Sequence, residues 1–302
     1  MAILVNRDTA VVVQGMTGKE GRRACLAMTE YGTRVCCGVT PGKGGEMIEE
    51  KPVFNSVAEA LAAFPEINTS AIYVPPAAAK SAMLEAVNCG ISLLNVIVER
   101  VPIQDTAYCL AAARERGVRV VGPSSLGIIS PGLARIGVVG GPLELAREIF
   151  RPGSVGVISR SGGMTNEVSW QFRRAGFGQS TAVHIGGDLL IGTSYRELLP
   201  LFEQDPQTLA VVIFGEHGGT QEFDIVELVK TGQFQKPLAI YIGGRFAAAF
   251  PEGATIGHAG AIVEAGKGAA EKEALLRKAG VMVAEHYEQL VDLISRKVAL
   301  SP

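Results

Sequence analysis

The sequence is poor in aromatic residues, has no excess of either charge and lacks a hydrophobic run long enough to cross a membrane. Aromatic side chains make up 6% of the 302 residues, with one tryptophan, and the formal net charge is −2. Such a balance provides no extended positive surface for nucleic acid or an anionic membrane. The longest apolar runs, such as residues 209–214, have the length of a strand, far below the roughly 18 residues that a spanning helix needs. We therefore expect neither a nucleic-acid partner nor a membrane partner.

A secretory leader and paired cysteines are also missing. The first residues pass through Asn6, Arg7 and Asp8 directly into an apolar segment, without the pattern of a signal peptide, which predicts a cytoplasmic protein. The five cysteines contain no Cys-x-x-Cys spacing and all occupy apolar positions in the first half of the chain: Cys25, Cys36, Cys37, Cys89 and Cys109. We interpret them as reduced, mostly buried thiols rather than as disulfides, a zinc site or a nucleophile.

What the sequence has in abundance is glycine, 37 of 302 residues, and a regular alternation of short β-branched runs with helix-length segments. This alternation is typical of a doubly wound parallel α/β sheet. In the first half we predict strands at 10–14, 34–39, 71–74, 93–98 and 118–121, and helices at 19–31, 57–64, 77–89 and 104–116. Gly32, Gly90 and Gly117 follow three of these helices as stop signals.

The ends of the first predicted strands carry residues suited to a phosphorylated cofactor. Residues 15–21 read Gly-Met-Thr-Gly-Lys-Glu-Gly, and such a turn lets backbone N–H groups and the positive end of a helix approach a phosphate. The Gly-x-x-Gly-x-x-Gly spacing, and the lack of an acidic residue after the second strand, argue against NAD. Instead Lys43 follows that strand among glycines and suits a phosphorylated nucleotide end. Residues 73–76 and Glu99 follow later strands and are predicted to frame a cofactor crevice.

The alternation breaks at residues 131–152, which contain four glycines and three prolines. We therefore predict two domains, residues 1–131 and 132–302. The second domain resumes the α/β alternation and is predicted to be a flavodoxin-like parallel layer structure. Its predicted strands are 155–159, 181–185, 210–214, 238–242 and 281–283, and its predicted helices are 165–174, 195–204, 222–230, 270–279 and 287–298.

Three strand ends and one loop in the second domain carry residues suited to binding or transferring a phosphoryl group. Residues 159–165, Ser-Arg-Ser-Gly-Gly-Met-Thr, precede a helix and offer N–H groups and hydroxyls to a phosphate. Glu216 and residues 186–188 place carboxylates beside glycines at two other strand ends. His258 lies in the loop 255–261 among small residues, where an accessible imidazole can accept a phosphoryl group.

We pair Glu216 with His258, because a carboxylate bonded to one imidazole nitrogen leaves the other nitrogen nucleophilic. His217 is a rival carrier, although its position beside Glu216 favours an orienting or substrate-contacting role. His184 and His286 are interpreted as structural.

These motifs, in this order and over nearly the whole chain, resemble the α (small) subunit of the succinyl-CoA synthetase superfamily, the nucleoside-triphosphate-dependent acyl-CoA ligases. The matching segments are residues 14–21, 38–45, 159–162, 185–188, 215–216 and 257–261. The resemblance implies an N-terminal Rossmann-like domain that binds coenzyme A, followed by a flavodoxin-like ligase domain. It implies that His258 is phosphorylated and that Glu216 orients it.

The resemblance also assigns binding residues and a partner. The residues implied to bind coenzyme A are Thr17, Gly18, Lys19, Glu20, Gly21, Lys43, Tyr73, Val74, Pro75 and Glu99, and those predicted to bind phosphate are Ser161, Gly162 and Gly163. No metal site is predicted on this chain. Superfamily members keep the ATP-grasp nucleotide site on a second, β-type subunit, so ATP with Mg²⁺ is expected on that partner.

Departures from the succinate-type pattern bear on the substrate. Residues 122–127, Gly-Pro-Ser-Ser-Leu-Gly, differ from it, whereas residues 161–167 and 150–155 are similar to ATP-citrate lyase. Because the citrate-synthase-like cleavage region of that enzyme has no counterpart here, the resemblance predicts the small subunit of a citryl-CoA synthetase, with a succinate- or malate-specific subunit as the alternative. His217 and Arg245 are further candidates for contacts to a more anionic substrate.

Two hypotheses from other classes remain open at this point. One is an NAD(P)-dependent oxidoreductase, which the glycine spacing and the missing ribose-binding acid disfavour. The other is a non-catalytic regulator that binds coenzyme A, which would have no need of residues 257–261. Binding of coenzyme A without binding of NAD by the purified chain would exclude the first.

Overall fold

The computed structural model describes residues 2–298, in which two seven-stranded sheets are each flanked by helices. In the first sheet the strands are β1 (Ala10–Gln14), β2 (Arg34–Val39), β3 (Met47–Ile48), β4 (Lys51–Phe54), β5 (Thr69–Ile72), β6 (Leu93–Val96) and β7 (Arg119–Val121). Their order is β3-β4-β2-β1-β5-β6-β7, and only the β3–β4 pair is antiparallel. The helices of this half are α1 (Lys19–Tyr31), α2 (Val57–Ala63), α3 (Pro76–Asn88) and α4 (Ile103–Glu115).

The second sheet combines five parallel strands with an antiparallel edge. Its strands are β8 (Gly127–Ser130), β9 (Ala134–Gly137), β10 (Pro152–Ser159), β11 (Gln179–His184), β12 (Ala210–Glu216), β13 (Leu238–Gly243) and β14 (Met282–Val283), in the order β14-β13-β12-β10-β11-β8-β9. The hairpin β8–β9 pairs antiparallel to β11. The helices are α5 (Leu143–Ile149), α6 (Gly162–Arg174), α7 (Tyr195–Gln204), α8 (Gln221–Lys230), α9 (Ala269–Lys278) and α10 (Gln289–Ser295), with a 3₁₀ turn at Arg245–Ala249.

The α/β fold predicted from the sequence is confirmed. The strands are buried on both faces, as parallel strands covered by helices must be: on β1, Val11 and Val13 belong to one apolar cluster and Val12 to another. Gly32 adopts a left-handed φ of 100° and ends α1 as predicted. The first cluster also contains Ile158 and Ile213 of the second sheet, so apolar packing is continuous between the two halves.

The structure corrects several boundaries. The predicted strand 71–74 is displaced to Thr69–Ile72, the strand predicted at 155–159 begins at Pro152, and the helix predicted at 287–298 is confined to Gln289–Ser295. The segment 131–152, predicted to be an irregular junction, contains β9 and α5, and the hairpin β3–β4 was not predicted. These elements are too short for a clear hydrophobic period to form.

The position of the domain boundary stays a prediction. The chain leaves the first sheet after Val121 and enters the second at Gly127, a few residues before the predicted boundary. No helix of residues 2–298 combines the length and apolar character needed to span a membrane. All five cysteines are free thiols and four are buried; burial raises the pKa of Cys37 to about 12 and that of Cys109 to about 11, so these thiols are poor nucleophiles.

Candidate functional site

Loops that follow the carboxyl ends of β6 and β11, one strand from each sheet, line a common cleft. Gly192 N donates to the carbonyl of Gly122 at 2.8 Å, which joins the loop after β11 to the loop after β7. In open α/β sheets, ligands bind at this edge. The loop containing His258 lies on the second-sheet side of the cleft, where Gly260 N donates to the carbonyl of Gly187 at 3.1 Å.

A tight turn presents His258 to solvent. The bridge between Thr255 and Ile262 closes the loop, and Ala261 N donates to the carbonyl of His258 at 2.9 Å. The side chain of His258 is 37% exposed. Its ring packs directly against Gly187, where a Cβ atom would lie 2.8 Å from the ring carbon Cδ2. Glycine at position 187 is therefore required for this placement of the imidazole.

Glu216, at the end of β12, holds the imidazole from the other side. Its Oε2 lies 2.8 Å from Nδ1 of His258, and its side chain is only 9% exposed. Its second oxygen, Oε1, lies 2.6 Å from Nε of Arg160 as an ion pair. Because this carboxylate faces a guanidinium, it acts as an acceptor, so Nδ1 of His258 donates and Nε2 carries the lone pair.

Arg160 was not assigned a role from the sequence, although it lies inside a recognised motif. Its side chain is 5% exposed, and its guanidinium also donates to the carbonyl of Asp188 at 2.9 Å. A buried charge of this kind is tolerated only when it is paired and hydrogen-bonded. Arg160 therefore connects β10, the loop after β11 and Glu216 into one rigid unit behind His258.

Lys272 on α9 is a second residue that sequence reasoning missed. Its ammonium group is fully buried and binds Glu222 at 2.6 Å and the carbonyl of Glu216 at 2.8 Å, with a further contact to the carbonyl of Gly218. These bonds hold the backbone that follows β12. No pattern in the sequence indicates that a lysine on an otherwise amphipathic helix turns inward.

The predicted phosphate-binding segment lies at the start of α6. Ser161 is the N-cap residue and its hydroxyl accepts from Met164 N at 3.4 Å. Gly162 and Gly163 occupy the first turn, where backbone N–H groups have no partner within the helix. Since Arg160 immediately precedes this turn, the positive end of α6 belongs to the same unit as Glu216 and His258. Whether it binds phosphate stays a prediction.

The residues predicted to bind coenzyme A follow four adjacent strands of the first sheet. Residues 17–21 follow β1, Lys43 follows β2, residues 73–75 follow β5 and Glu99 follows β6, and β2-β1-β5-β6 is their order in the sheet. At α1 the N-cap residue is Gly18, so no side chain caps the N–H groups of the first turn. The turn is tight and requires glycine at position 21. A Cβ atom on Gly21 would lie 2.3 Å from the carbonyl oxygen of Gly15.

Within this group the side chains differ in accessibility. Lys43 is exposed and its Nζ lies 3.0 Å from Glu46, while Asn55 Oδ1 accepts from the N–H groups of Gly42 and Gly44 and holds the loop. Tyr73 is buried, and its hydroxyl has no partner among residues 2–298. We therefore expect any contact of residue 73 to coenzyme A to come from its backbone.

The predicted contact of His217 and Arg245 with the substrate stays a prediction. His217 is buried, with neither ring nitrogen hydrogen-bonded in the described part of the chain. It lines a separate cavity of about 310 Å³ together with Arg245 and the start of α9. Nε of Arg245 donates to Glu273 at 2.8 Å, so its charge is already neutralised.

Comparison with known proteins bears directly on this arrangement. Residues 6–100 match the CoA binding domain family, and residues 152–296 match the family described as succinyl-CoA ligase like flavodoxin domain. The chain is 42% identical to the α subunit of the ADP-forming succinate–CoA ligase of Aquifex aeolicus, over 98% of this chain and 94% of that protein. The chain belongs to the succinyl-CoA ligase family.

Other members of the family differ in the acid they are named for. The chain is 41% identical to the ADP-forming sulfoacetate-CoA ligase subunit SqwL of an Acholeplasma species, over 97% of each chain. It is 42% identical to the malate–CoA ligase α subunit of Methylorubrum extorquens, over 94% of each chain. The succinyl-CoA ligase family fold and the ligase class predicted from the sequence are thus confirmed.

A solved structure shares the architecture over almost the whole chain. ATP citrate lyase from Methanothrix soehngenii, in complex with citrate and coenzyme A, superposes with a TM-score of 0.90 at 26% identity, covering 97% of this chain and 50% of that one. This chain therefore spans about half the length of the lyase chain, and the activity of the whole lyase is not carried over with the fold.

Proposed function

We propose that this chain is the phosphoryl-carrying α-type subunit of an ADP-forming ligase that joins coenzyme A to a short acid with at least two anionic groups. The observation that carries the proposal is the bonded series Arg160–Glu216–His258 beside the start of α6. From the sequence we favour citrate as the acid. Succinate and malate are the alternatives, and sulfoacetate joins them because relatives named for each of these acids are about equally similar.

In the first step Nε2 of His258 attacks the γ-phosphorus of ATP. The N–P bond forms as the bond between that phosphorus and the bridging oxygen of ADP breaks. Glu216 accepts the Nδ1–H hydrogen bond and compensates the positive charge that the ring acquires during the attack. The N–H groups of Gly162 and Gly163 then stabilise the phosphoryl oxygens, at about 0.3–2 kcal/mol for a helix end.

In the second step a carboxylate oxygen of the acid attacks the phosphorus, and the N–P bond breaks to regenerate His258. The product is an acyl phosphate, from which phosphate leaves when the thioester forms. Bound coenzyme A would supply the thiol for that thioester. The exposed first turn of α1 and the Lys43 loop fit its phosphates, since the first offers uncapped N–H groups and the second an exposed ammonium, paired only with Glu46 at the surface, at one sheet edge.

The proposal includes a partner. Relatives named as α subunits of ADP-forming ligases support a β-type, ATP-grasp subunit that binds ATP with Mg²⁺ and delivers the γ-phosphoryl group to His258. Among residues 2–298 no group of acidic, histidine or cysteine side chains is arranged to hold a metal ion.

The test is phosphorylation of the complex co-expressed with its large subunit. With ATP labelled in the γ-position, we expect acid-labile, base-stable label on this chain in the wild type and none in His258→Asn, because Asn lacks the nucleophilic Nε2. His286→Asn is the matched control, since His286 is exposed and lies outside the loop 255–261, and should label normally. Label retained in His258→Asn would refute the carrier assignment.

The same complex identifies the acid. ADP release should be measured in parallel with citrate, succinate, malate and sulfoacetate at equal concentration, with coenzyme A present. The acid with the highest kcat/KM defines the substrate. If citrate supports less than about one hundredth of the rate of another acid, the citrate-specific part of the proposal is wrong while the ligase assignment stands.

A further inference from the structure

A cavity between the two domains opens beside the loop of His258. It has a volume of about 290 Å³, near the lower end of the ~300–1,000 Å³ range of small-molecule sites. Arg100 and Val101 line it from the first domain, and Asp188 and Ala259 from the second. Because Ala259 follows His258 directly, a ligand in this cavity would lie next to the proposed phosphoryl carrier.

Arg100 has a backbone conformation that an arginine adopts only at an energetic cost. Its φ is 58°, in the left-handed region, where a Cβ atom crowds the backbone and glycine is the favoured residue. It lies between β6 and Pro102, the N-cap residue of α4. Non-glycine residues in this region are concentrated at functional sites. The strained backbone of Arg100 therefore points to a function for its guanidinium.

The guanidinium of Arg100 has no ion-pair or hydrogen-bond partner within the described part of the chain. Several exposed arginines are paired, among them Arg34 with Glu66, Arg196 with Asp224, and Arg245 with Glu273 at 2.8 Å, whereas Arg100 is not. Arg100 thus lines a cavity large enough for a small acid while all five of its N–H donors are uncommitted. A guanidinium fork matches a carboxylate or sulfonate with two parallel hydrogen bonds.

We propose that Arg100 is the specificity-determining residue of this enzyme and binds the second anionic group of the acid, a carboxylate or sulfonate distant from the carboxylate that reacts with phosphohistidine. The inference rests on the proposed function. Asp188, which also lines the cavity, would repel that group, and its backbone is fixed by the bond from Arg160. The acid is therefore expected to point its distal anion toward Arg100 and its reacting carboxylate toward His258.

The experiment measures loss of label from the phosphorylated complex. Wild type, Arg100→Gly and Arg100→Lys are labelled with γ-labelled ATP, freed of nucleotide, and chased with coenzyme A and increasing concentrations of the preferred acid. We expect Arg100→Gly to label normally and to require at least tenfold more acid for half-maximal loss of label. Arg100→Lys should recover part of this difference. Discrimination between succinate and the mono-anion propionate should fall at least tenfold in Arg100→Gly.

Glu50→Gly is the matched control. Glu50 is exposed, has a φ of 59° and lies in the β3–β4 hairpin, so this variant relieves the same backbone conformation without touching the cavity. Its acid dependence should equal that of the wild type. Both glycine variants should melt at or above the wild-type temperature, which excludes misfolding as the cause of a raised acid requirement.

The outcomes separate the inference from the function on which it rests. Absence of label in the wild-type complex would refute the proposed function. Normal label with an unchanged acid dependence in Arg100→Gly would refute the role of Arg100, as would a raised requirement for coenzyme A alone, which would assign the guanidinium to the phosphates of coenzyme A. An equal rise for succinate and propionate would also contradict recognition of a distal anion.

Discussion

His184 is one buried side chain that links the backbone of Leu126 to that of Arg160, the ion-pair partner of Glu216. Its Nδ1 accepts from the backbone N–H of Leu126 at 2.8 Å, so its Nε2 carries the hydrogen and donates to the carbonyl of Arg160 at 3.0 Å. The sequence interpretation of His184 as structural agrees with this environment. Through Arg160, the ring also sets the position of Glu216, and His184 is therefore a positioning residue as well.

We predict that His184 makes stability depend on pH. Burial lowers its pKa from 6.5 to about 4, so between these values the unfolded chain binds more protons than the native one, and stability falls as the pH falls from 6.5 toward 4. By pH 4 the free energy of unfolding has lost about 3 kcal/mol through His184, at about 1.4 kcal/mol per pKa unit. Urea unfolding at pH 7 and pH 4.5 should show a smaller acid-induced loss in His184→Gln than in the wild type.

His286→Gln serves as the control for that measurement, because His286 is exposed and its substitution should leave the pH dependence of unfolding unchanged. A parallel loss of stability in the wild type and in His184→Gln would show that other groups account for the acid sensitivity.

At the scale of single elements, the loop between β2 and β3 is a candidate site built from backbone and one charge. Asn55 fixes it by accepting from two of its N–H groups, while Lys43 stays exposed at the carboxyl edge of the sheet. The loop thus presents a positive charge without burying it. Its pairing with Glu46 is a surface contact, which contributes little and is easily exchanged for a phosphate.

We predict that Lys43→Ala weakens binding of coenzyme A about three- to tenfold, because one charge-assisted phosphate contact is lost. Isothermal titration with the purified complex measures this, and the loss should shrink at high salt, where the contact is screened. Lys278→Ala, an exposed lysine at the end of α9, should bind coenzyme A like the wild type. Equal affinity in Lys43→Ala would place the phosphates elsewhere.

Across the whole molecule, the two sheets are joined by polar as well as apolar contacts. Asn95 on β6 donates to the hydroxyl of Ser125 at 3.0 Å, and that hydroxyl in turn donates to the carbonyl of His184. All three residues are buried. Since the apolar cluster also continues from one sheet into the other, opening the cleft would expose both kinds of contact at once.

We therefore predict that both domains unfold in a single calorimetric transition and that coenzyme A shifts the whole of it. At one hundred times its dissociation constant the ligand should add about 2.7 kcal/mol. Asn95→Ala should lower the transition temperature, because the buried Ser125 hydroxyl loses one of its hydrogen bonds, at a cost of about 0.5–1.5 kcal/mol. Two separate transitions, of which coenzyme A moves only one, would contradict this coupling.

The sequence by itself determined the order of elements, the α/β class, the family and the identity of the glycine-rich strand ends, because these depend on short-range periodicity and on motifs of a few residues. Helices α1 and α7 were predicted with their observed limits. It also paired Glu216 with His258, although they are 42 positions apart, since the chemistry of an oriented imidazole requires such a partner.

Only the tertiary structure revealed Arg160 as the partner of Glu216, the inward-turned Lys272 and the left-handed Arg100. Arg160 and Lys272 act through contacts between segments brought together by the second sheet, and at Lys272 that contact spans 56 positions. The role inferred for Arg100 depends on a cavity that residues of both domains line. Burial, pairing and backbone strain are set by the packed whole, and no local pattern of residues encodes them.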